Sequence, residues 1–289
     1  MSNIALESST ARQASELLYH YTTVESFVSI MNSGELWASY IRYQNDISEQ
    51  RLIWDHVRAR IKARLATTSG NDRDRLLQVQ SLASSPLELD IYILCFSKDG
   101  GDTLGQWRGY GGSAGVAIGF DPSELKKRCS GFTKAMSHNQ PFPMGWAFLL
   151  DEVRYIEPTG DEQSNQIIDI FIDNPNPTEH ESRFSQEEVF SRRISLSSSR
   201  FKHKAFHEEK EWRIAIFDVP EDSVHFRTRK SMMLPFVPFD LGKGQSVWPL
   251  IQRITVGPSP HQIETIATIK KRLNDQVVVV ESSIPYRDW

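Results

Sequence analysis

Leu17-Leu18-Tyr19-His20-Tyr21-Thr22 opens a stretch, residues 17–36, from which the rest of the fold can be read outward. A short apolar and aromatic run ends on Thr22 and Thr23. Val24, Phe27, Val28 and Met31 then recur at helical spacing until Asn32-Ser33-Gly34 stops them. The pattern predicts a strand, a short helix and a glycine stop. His20 therefore falls near the end of an early strand, where a ligand could meet both its ring and the amides that open the next helix. An ordinary buried strand histidine is the competing reading and, for this residue taken alone, the commoner one.

Downstream, Leu36-Trp37-Ala38-Ser39 can form a short strand, and Asn45-Asp46-Ile47-Ser48-Glu49 offers several helix caps. Trp54, Val57, Ile61 and Leu65 follow at helical spacing, with Arg51, Arg58 and Lys62 on the remaining surface. A basic face of this kind is usually solvated, but it is the best electrostatic candidate for touching a polyanion. Residues 66–86 are polar, with a hint of a helical turn at 76–82, and read as an exposed loop. Core strands are expected at 89–96, 115–120 and 148–156. The acidic stretch 158–184, broken by Asn174-Pro175-Asn176-Pro177, reads as an insertion or linker around a short helix near Ile167. A helix at 185–198, strands at 212–219, between 224 and 239, at 251–256 and at 277–280, and a helix capped by Ser259-Pro260 complete the chain. Strands and helices mix without regular alternation, which predicts an α+β fold rather than a doubly wound sheet. One domain over 1–289 is expected, with residues 1–14 frayed.

The 289 residues are 39 % hydrophobic, enough for a substantial core, and carry a formal net charge of −4. That balance excludes a global attraction to nucleic acid or anionic membrane, leaving only local contacts. Two cysteines, Cys95 and Cys129, are too few for a disulfide scaffold or a zinc ribbon. With no signal-peptide pattern at the start and no apolar run near 20 residues, a cytoplasmic protein is expected.

Two further stretches could carry chemistry. Of the 16 glycines, Gly100, Gly101, Gly105, Gly109, Gly111, Gly112, Gly115 and Gly119 crowd one segment, interleaved with Trp107, Arg108 and Tyr110. Glycine admits close backbone approach to a ligand and the aromatics offer flat stacking surfaces, although a tight turn explains part of the crowding. Neither a dinucleotide GxGxxG nor a P-loop is present. In residues 201–213, Glu211 falls where a polar segment becomes a strand, so its carboxylate could hold a ribose hydroxyl and stabilise positive charge on a sugar ring. A surface cluster balanced by Lys202, Lys204, Lys210 and Arg213 is the better reading for Glu208 and Glu209, and an equal one for Glu211. His203 and His207 stand four apart without the glutamate of HExxH or a third ligand, so no metal is expected. No Gly-x-Ser-x-Gly elbow is present.

With these residues in view, the chain resembles the bacterial domain-of-unknown-function family 2971 across nearly its whole length. The matching pieces are Tyr19-His20-Tyr21, Asn45-Asp46 with Glu49, Phe96-Ser97 followed by Trp107 and Tyr110, the strand at 115–120, Lys202 with Glu209-Lys210-Glu211-Trp212-Arg213, and Ser283-Ile284-Pro285-Tyr286-Arg287. More distantly it resembles the ADP-ribosyltransferase superfamily, particularly the toxin type that modifies DNA. That likeness implies a mixed, largely antiparallel sheet with helical insertions and NAD as substrate. It places His20 and Glu211 as catalytic residues, and Tyr21, Ser97, Trp107, Tyr110 and Arg213 with His20 around the dinucleotide. The acceptor would be a nucleic acid or a protein, in a bacterial toxin or phage-defence setting. The helix after Asn45 and the acidic insertion depart from the compact superfamily core. Two other readings stand beside it. One is a non-catalytic nucleotide- or nucleic-acid-binding sensor in which Arg108 and Arg213 contact phosphate. The other is a nucleic-acid-processing effector using the basic helix with Asp46 and Glu49.

Overall fold

The structure of the protein, a computed structural model, describes residues 13–43, 49–84, 89–137, 147–157, 161–178, 181–182, 184–229, 231–242, 250–273 and 277–285. In chain order the elements are β1 (Leu18–Thr23), α1 (Val24–Ser33), β2 (Glu35–Tyr40), α2 (Glu49–Leu65), α3 (Asn71–Ser84), β3 (Ile91–Ser97), α4 (Leu104–Gln106), β4 (Gly115–Phe120), α5 (Pro122–Ser137) and β5 (Ala147–Glu152). They continue with β6 (Arg154–Ile156), α6 (Glu162–Asp173), α7 (Gln186–Ser198), β7 (Phe201–His203), β8 (Glu211–Phe217), β9 (His225–Arg229), β10 (Met232–Asp240), β11 (Ile251–Val256), α8 (Gln262–Leu273) and β12 (Val278–Glu281). The fold is α+β, with a largely antiparallel sheet in the order β12-β11-β4-β1-β3-β2-β10-β9. On its other edge β3 pairs with β8, which in turn pairs with β5.

The opening stretch folds as its pattern predicts. Thr23 caps α1 by accepting the Ser26 amide at 3.2 Å, and Phe27 and Ile30 bury the helix's apolar stripe. Gly34 ends it at φ 71°, a left-handed conformation that glycine adopts without strain, and its N–H returns to the Ile30 carbonyl at 2.8 Å. The consequence is a forked sheet. β1 and β2, joined by α1, both pair with the same edge of β3, but at different levels: Tyr19 opposite Ser97, and Ser39 opposite Ile93. Leu94, Cys95 and Phe96 lie between those levels, where β1 and β2 diverge.

Alternation along the strands divides two faces. Leu18, Leu36, Ala38, Leu94, Phe96, Ile118 and Ile214 enter the main core, covered by Phe27 and Ile30 of α1, Leu125 and Cys129 of α5 and Ile269 and Leu273 of α8. On the opposite face Tyr19, Tyr21 and Ala117 pack with Trp107. Cys95 and Cys129 are both free thiols.

A second core joins α2, α3, α6 and α7 through Ile53, Val57, Ile61, Leu76, Val79, Ile168, Ile172, Phe190 and Ile194. Residues 71–84, expected as loop, are therefore a helix: Leu76, Val79, Leu82 and Ala83 are buried, while charged residues on the other face mask the periodicity. The acidic residues of α6 also have partners. Asp169 accepts from Arg60 Nε and Nη2 at 2.9 and 2.6 Å and from Arg64 at 3.2 Å, and Asp173 accepts from Arg64 at 2.7 Å. Arg60 and Arg64 of α2 are thus paired to α6, and hydrogen bonding to Arg60 holds the Asp169 carboxyl below the usual range. Among the described residues no helix is long and apolar enough to cross a membrane.

Candidate functional site

A cavity of about 640 Å³ occupies the fork, within the range that holds small ligands and cofactors. Its wall brings together His20, Tyr21, Ser97, Tyr110 and Glu211, where β1, β3, β8 and the glycine-rich segment meet. By register His20 belongs to the main-core face, opposite Ile118. Its imidazole nevertheless reaches the fork, with Nδ1 3.0 Å from the Cys95 carbonyl and the ring edge-on to Phe96 at 6.0 Å. A carbonyl can only accept, so Nδ1 carries the proton and Nε2 is left as an acceptor. Burial lowers the His20 pKa, the Cys95 contact opposes that shift, and Arg227 adds to it. The ring is held neutral.

The carboxylate end is built by the turn into β8. A 3-10 helix, Lys204–Glu209, ends at Lys210, whose φ of 44° is unusual for a residue with a side chain. The Ser97 hydroxyl donates to the Glu209 carbonyl at 2.5 Å and the Lys98 amide to the Lys210 carbonyl at 2.9 Å, so the turn is tied to β3. The left-handed residue sets Glu209 and Glu211 around one cation: Lys202 Nζ lies 2.7 Å from Glu209 Oε2 and 3.0 Å from Glu211 Oε2. Arg213 grips Glu211 from behind through Nε to Oε1 at 2.7 Å and Nη2 to Oε2 at 2.9 Å. Glu211, Lys202 and Arg213 are all buried. Burial alone would raise the Glu211 pKa, but Arg213 first and Lys202 second outweigh it and hold the carboxyl down to about 2. Burial and the adjacent Glu211 push the Cys95 thiol well above its ordinary value, so it is not a thiolate.

The other expected site residues fall in different places. Tyr21 is buried, with its hydroxyl donating to Asp99 at 2.7 Å, and burial together with Asp99 raises its pKa. Tyr110 lines the cavity on a π-helical turn, Trp107–Gly111. Trp107 does not line it. The indole is 2 % exposed, donates to Asp102 at 2.8 Å and meets the Tyr21 ring edge-on at 4.8 Å. The nearby glycines serve it: a Cβ on Gly115 or Gly257 would stand 3.0 or 2.9 Å from its ring. Arg213 is likewise behind the wall rather than on it. Arg108 does line the cavity. Asp46 lies outside the described residues, as does the side chain of Glu49.

Three further residues line the wall. Glu209 looked like surface charge, yet it lines the cavity with its side chain 24 % exposed. Gln106 is buried and directs Nε2 to the Glu209 carbonyl at 3.5 Å. Arg227 of β9 enters from the far side of β2. In the sequence Glu209 stands among opposite charges just ahead of an apolar strand and within the Glu209-Lys210-Glu211-Trp212-Arg213 piece of the family resemblance. Arg227 carries no such signal, because Ser39, to which it donates, is 188 positions away.

Residues 106–214 match the model of a family described as a protein of unknown function, DUF2971. The matched segment contains Gln106, Tyr110, Lys202, Glu209 and Glu211, while His20 and Arg227 fall outside it. No curated protein and no solved structure matches the chain.

Proposed function

We propose that the protein is an ADP-ribosyltransferase-like enzyme that takes NAD in the forked cleft and breaks its nicotinamide–ribose bond. The observation that carries this reading is the meeting of His20, Ser97, Tyr110, Glu209 and Glu211 on one cavity of about 640 Å³. As the C–N bond breaks, its electron pair returns to the nicotinamide ring nitrogen, which leaves as a neutral base. Positive charge then develops on the ribose, and the cleft brings the carboxyl groups of Glu209 and Glu211 to one end. Glu211 stays ionised because Arg213 and Lys202 hold it so, and Glu209 offers an oxygen, Oε1, that accepts no hydrogen bond among the described residues. An acceptor nucleophile, or water in a glycohydrolase, adds to the ribose carbon and gives up its proton to solvent. Tyr110 offers a ring on the same wall as a stacking surface for the nicotinamide.

A second reading, a nucleotide-binding module without turnover, is favoured by one feature. Both oxygens of Glu211 are already engaged by Arg213 and Lys202, so the carboxylate has less to offer a substrate than its position implies. Incubation of the purified chain with NAD, with and without DNA and protein acceptors, separates the two. Release of nicotinamide supports the enzyme; binding of NAD with no release under any of these conditions supports the module.

A further inference from the structure

We infer that Arg227 forms an anion subsite at the end of the fork remote from Glu211, built for the diphosphate of a nucleotide. The inference deepens the reading above and rests on it for the identity of the ligand as a nucleotide.

Arg227 is positioned with unusual care for an edge-strand arginine. Its Nη2 donates to Ser39 Oγ at 2.7 Å, which carries the guanidinium from β9 over β10 to β2. Its Cζ lies 5.7 Å from the Trp37 ring and 6.0 Å from the Phe236 ring, and these two rings stack on each other at 4.4 Å. The planar group is therefore held by a hydroxyl and two aromatics. What it lacks is an anion. Arg192 pairs with Asp218, Arg193 with Glu181, Arg213 with Glu211 and Arg60 with Asp169, but among the described residues Arg227 has no carboxylate. Its Nε is buried without a hydrogen-bond partner. A like charge acts on it, that of Arg229, which also lines the cavity. A partly buried guanidinium beside a second cation is costly unless an anion completes the site.

The register aims this group into the fork. Ser39 is opposite Ile93 on β3, and side chains two and four residues on, at Cys95 and Ser97, share that face. Ser97 is in turn opposite Glu211 on β8. One face of the sheet thus carries Arg227 and Arg229 at one end and Glu211 at the other, with Glu209 on the turn beside it and the two carboxylates held by Lys202 and Arg213. A ligand with an anionic middle and a cationic or incipiently cationic ribose end fits that polarity, and its bidentate phosphate contacts would satisfy the fork of Arg227. A phosphodiester of nucleic acid shares the chemistry, but the cavity lies between two strands joined by α1, which favours a free nucleotide.

Calorimetric titration of the full chain with ADP, inorganic pyrophosphate, adenosine and a single-stranded oligonucleotide tests the assignment. ADP and pyrophosphate should bind, Arg227→Ala should weaken both by about 10- to 100-fold, and Arg227→Lys should restore part of the loss. Adenosine binding should not change. Equal ADP affinity in Arg227→Ala, equal weakening of adenosine, no binding of ADP or pyrophosphate to the wild type, or an Arg227-dependent affinity confined to the oligonucleotide would each overturn it. Nicotinamide release is a separate readout. If ADP binding depends on Arg227 and NAD is not cleaved, the subsite stands and the reaction does not; cleavage with an unchanged KM for NAD in Arg227→Ala gives the reverse.

Discussion

Nδ1 of His20 lies 3.0 Å from the carbonyl oxygen of Cys95, and that contact supplies a partner for a backbone acceptor in the gap where β1 and β2 part. The histidine that the sequence offers as a ligand-binding residue is therefore also the residue that closes the fork. Its two ring nitrogens have separate duties, one toward the backbone and one left over for a ligand.

The folded-state pKa of His20 is lowered, so the unfolded chain takes up the proton first as pH falls, and stability present above about 6.5 declines below it. His20→Asn, whose amide can still donate to Cys95, should flatten the dependence of melting temperature on pH between 7 and 5. An imidazole titration by NMR with a midpoint at or above the ordinary value would contradict this.

Glu211→Gln should be destabilising quite apart from any chemistry. It leaves Arg213 and Lys202 as buried cations facing a neutral amide, which costs about 3 kcal/mol in comparable buried pairs. With its carboxyl held down to about 2, the native contribution of Glu211 is complete above the unfolded value of about 4.5 and is lost as pH falls toward 2. Chemical denaturation of Glu211→Gln at pH 7 and at acid pH checks both statements: the deficit should be large at neutral pH and shrink in acid. A variant as stable as wild type at pH 7 would show that the ion cluster is not holding the turn.

Gly115→Ala tests the role of the crowded glycines. The new methyl would stand 2.7 Å from the Gly111 Cα and 3.0 Å from the Trp107 ring, with rigid neighbours on both sides. A loss of about 1–3 kcal/mol is expected, together with a change in tryptophan fluorescence as the indole shifts. Gly105→Ala, where nothing lies within 4 Å, should be close to neutral. Equal melting temperatures for the two variants would remove the packing explanation.

Parts of this arrangement were legible in the sequence because local chemistry and tertiary packing agree there. Val24, Phe27 and Met31 at helical spacing with Gly34 behind them suffice for β1–α1–β2, and the glycine-bounded run at 115–120 is β4 as read. α3 was hidden because Leu76, Val79 and Leu82 sit among charged residues whose solvated face dominates the composition. Trp107 and Tyr110 were legible as aromatics but not as inside and outside, since that depends on Gly115 and Gly257 arriving from other strands to make room for the indole. The distinction between Glu209 and Glu211 depends on the left-handed turn at Lys210, which no side-chain preference announces. Arg227 had no legible role because Ser39 and Trp37, which orient it, are remote in sequence.

Nicotinamide release by wild type and by Glu209→Gln reads whether the carboxylate end of the fork acts on NAD. Glu209 touches Lys202 through one oxygen only and is partly exposed, so its amide variant should melt close to wild type. Wild type should release nicotinamide, and Glu209→Gln should do so at least about 100-fold more slowly while remaining folded. Wild-type release that is unchanged in Glu209→Gln, or no release by wild type with any acceptor, would show that the carboxylate end of the fork does not act on NAD.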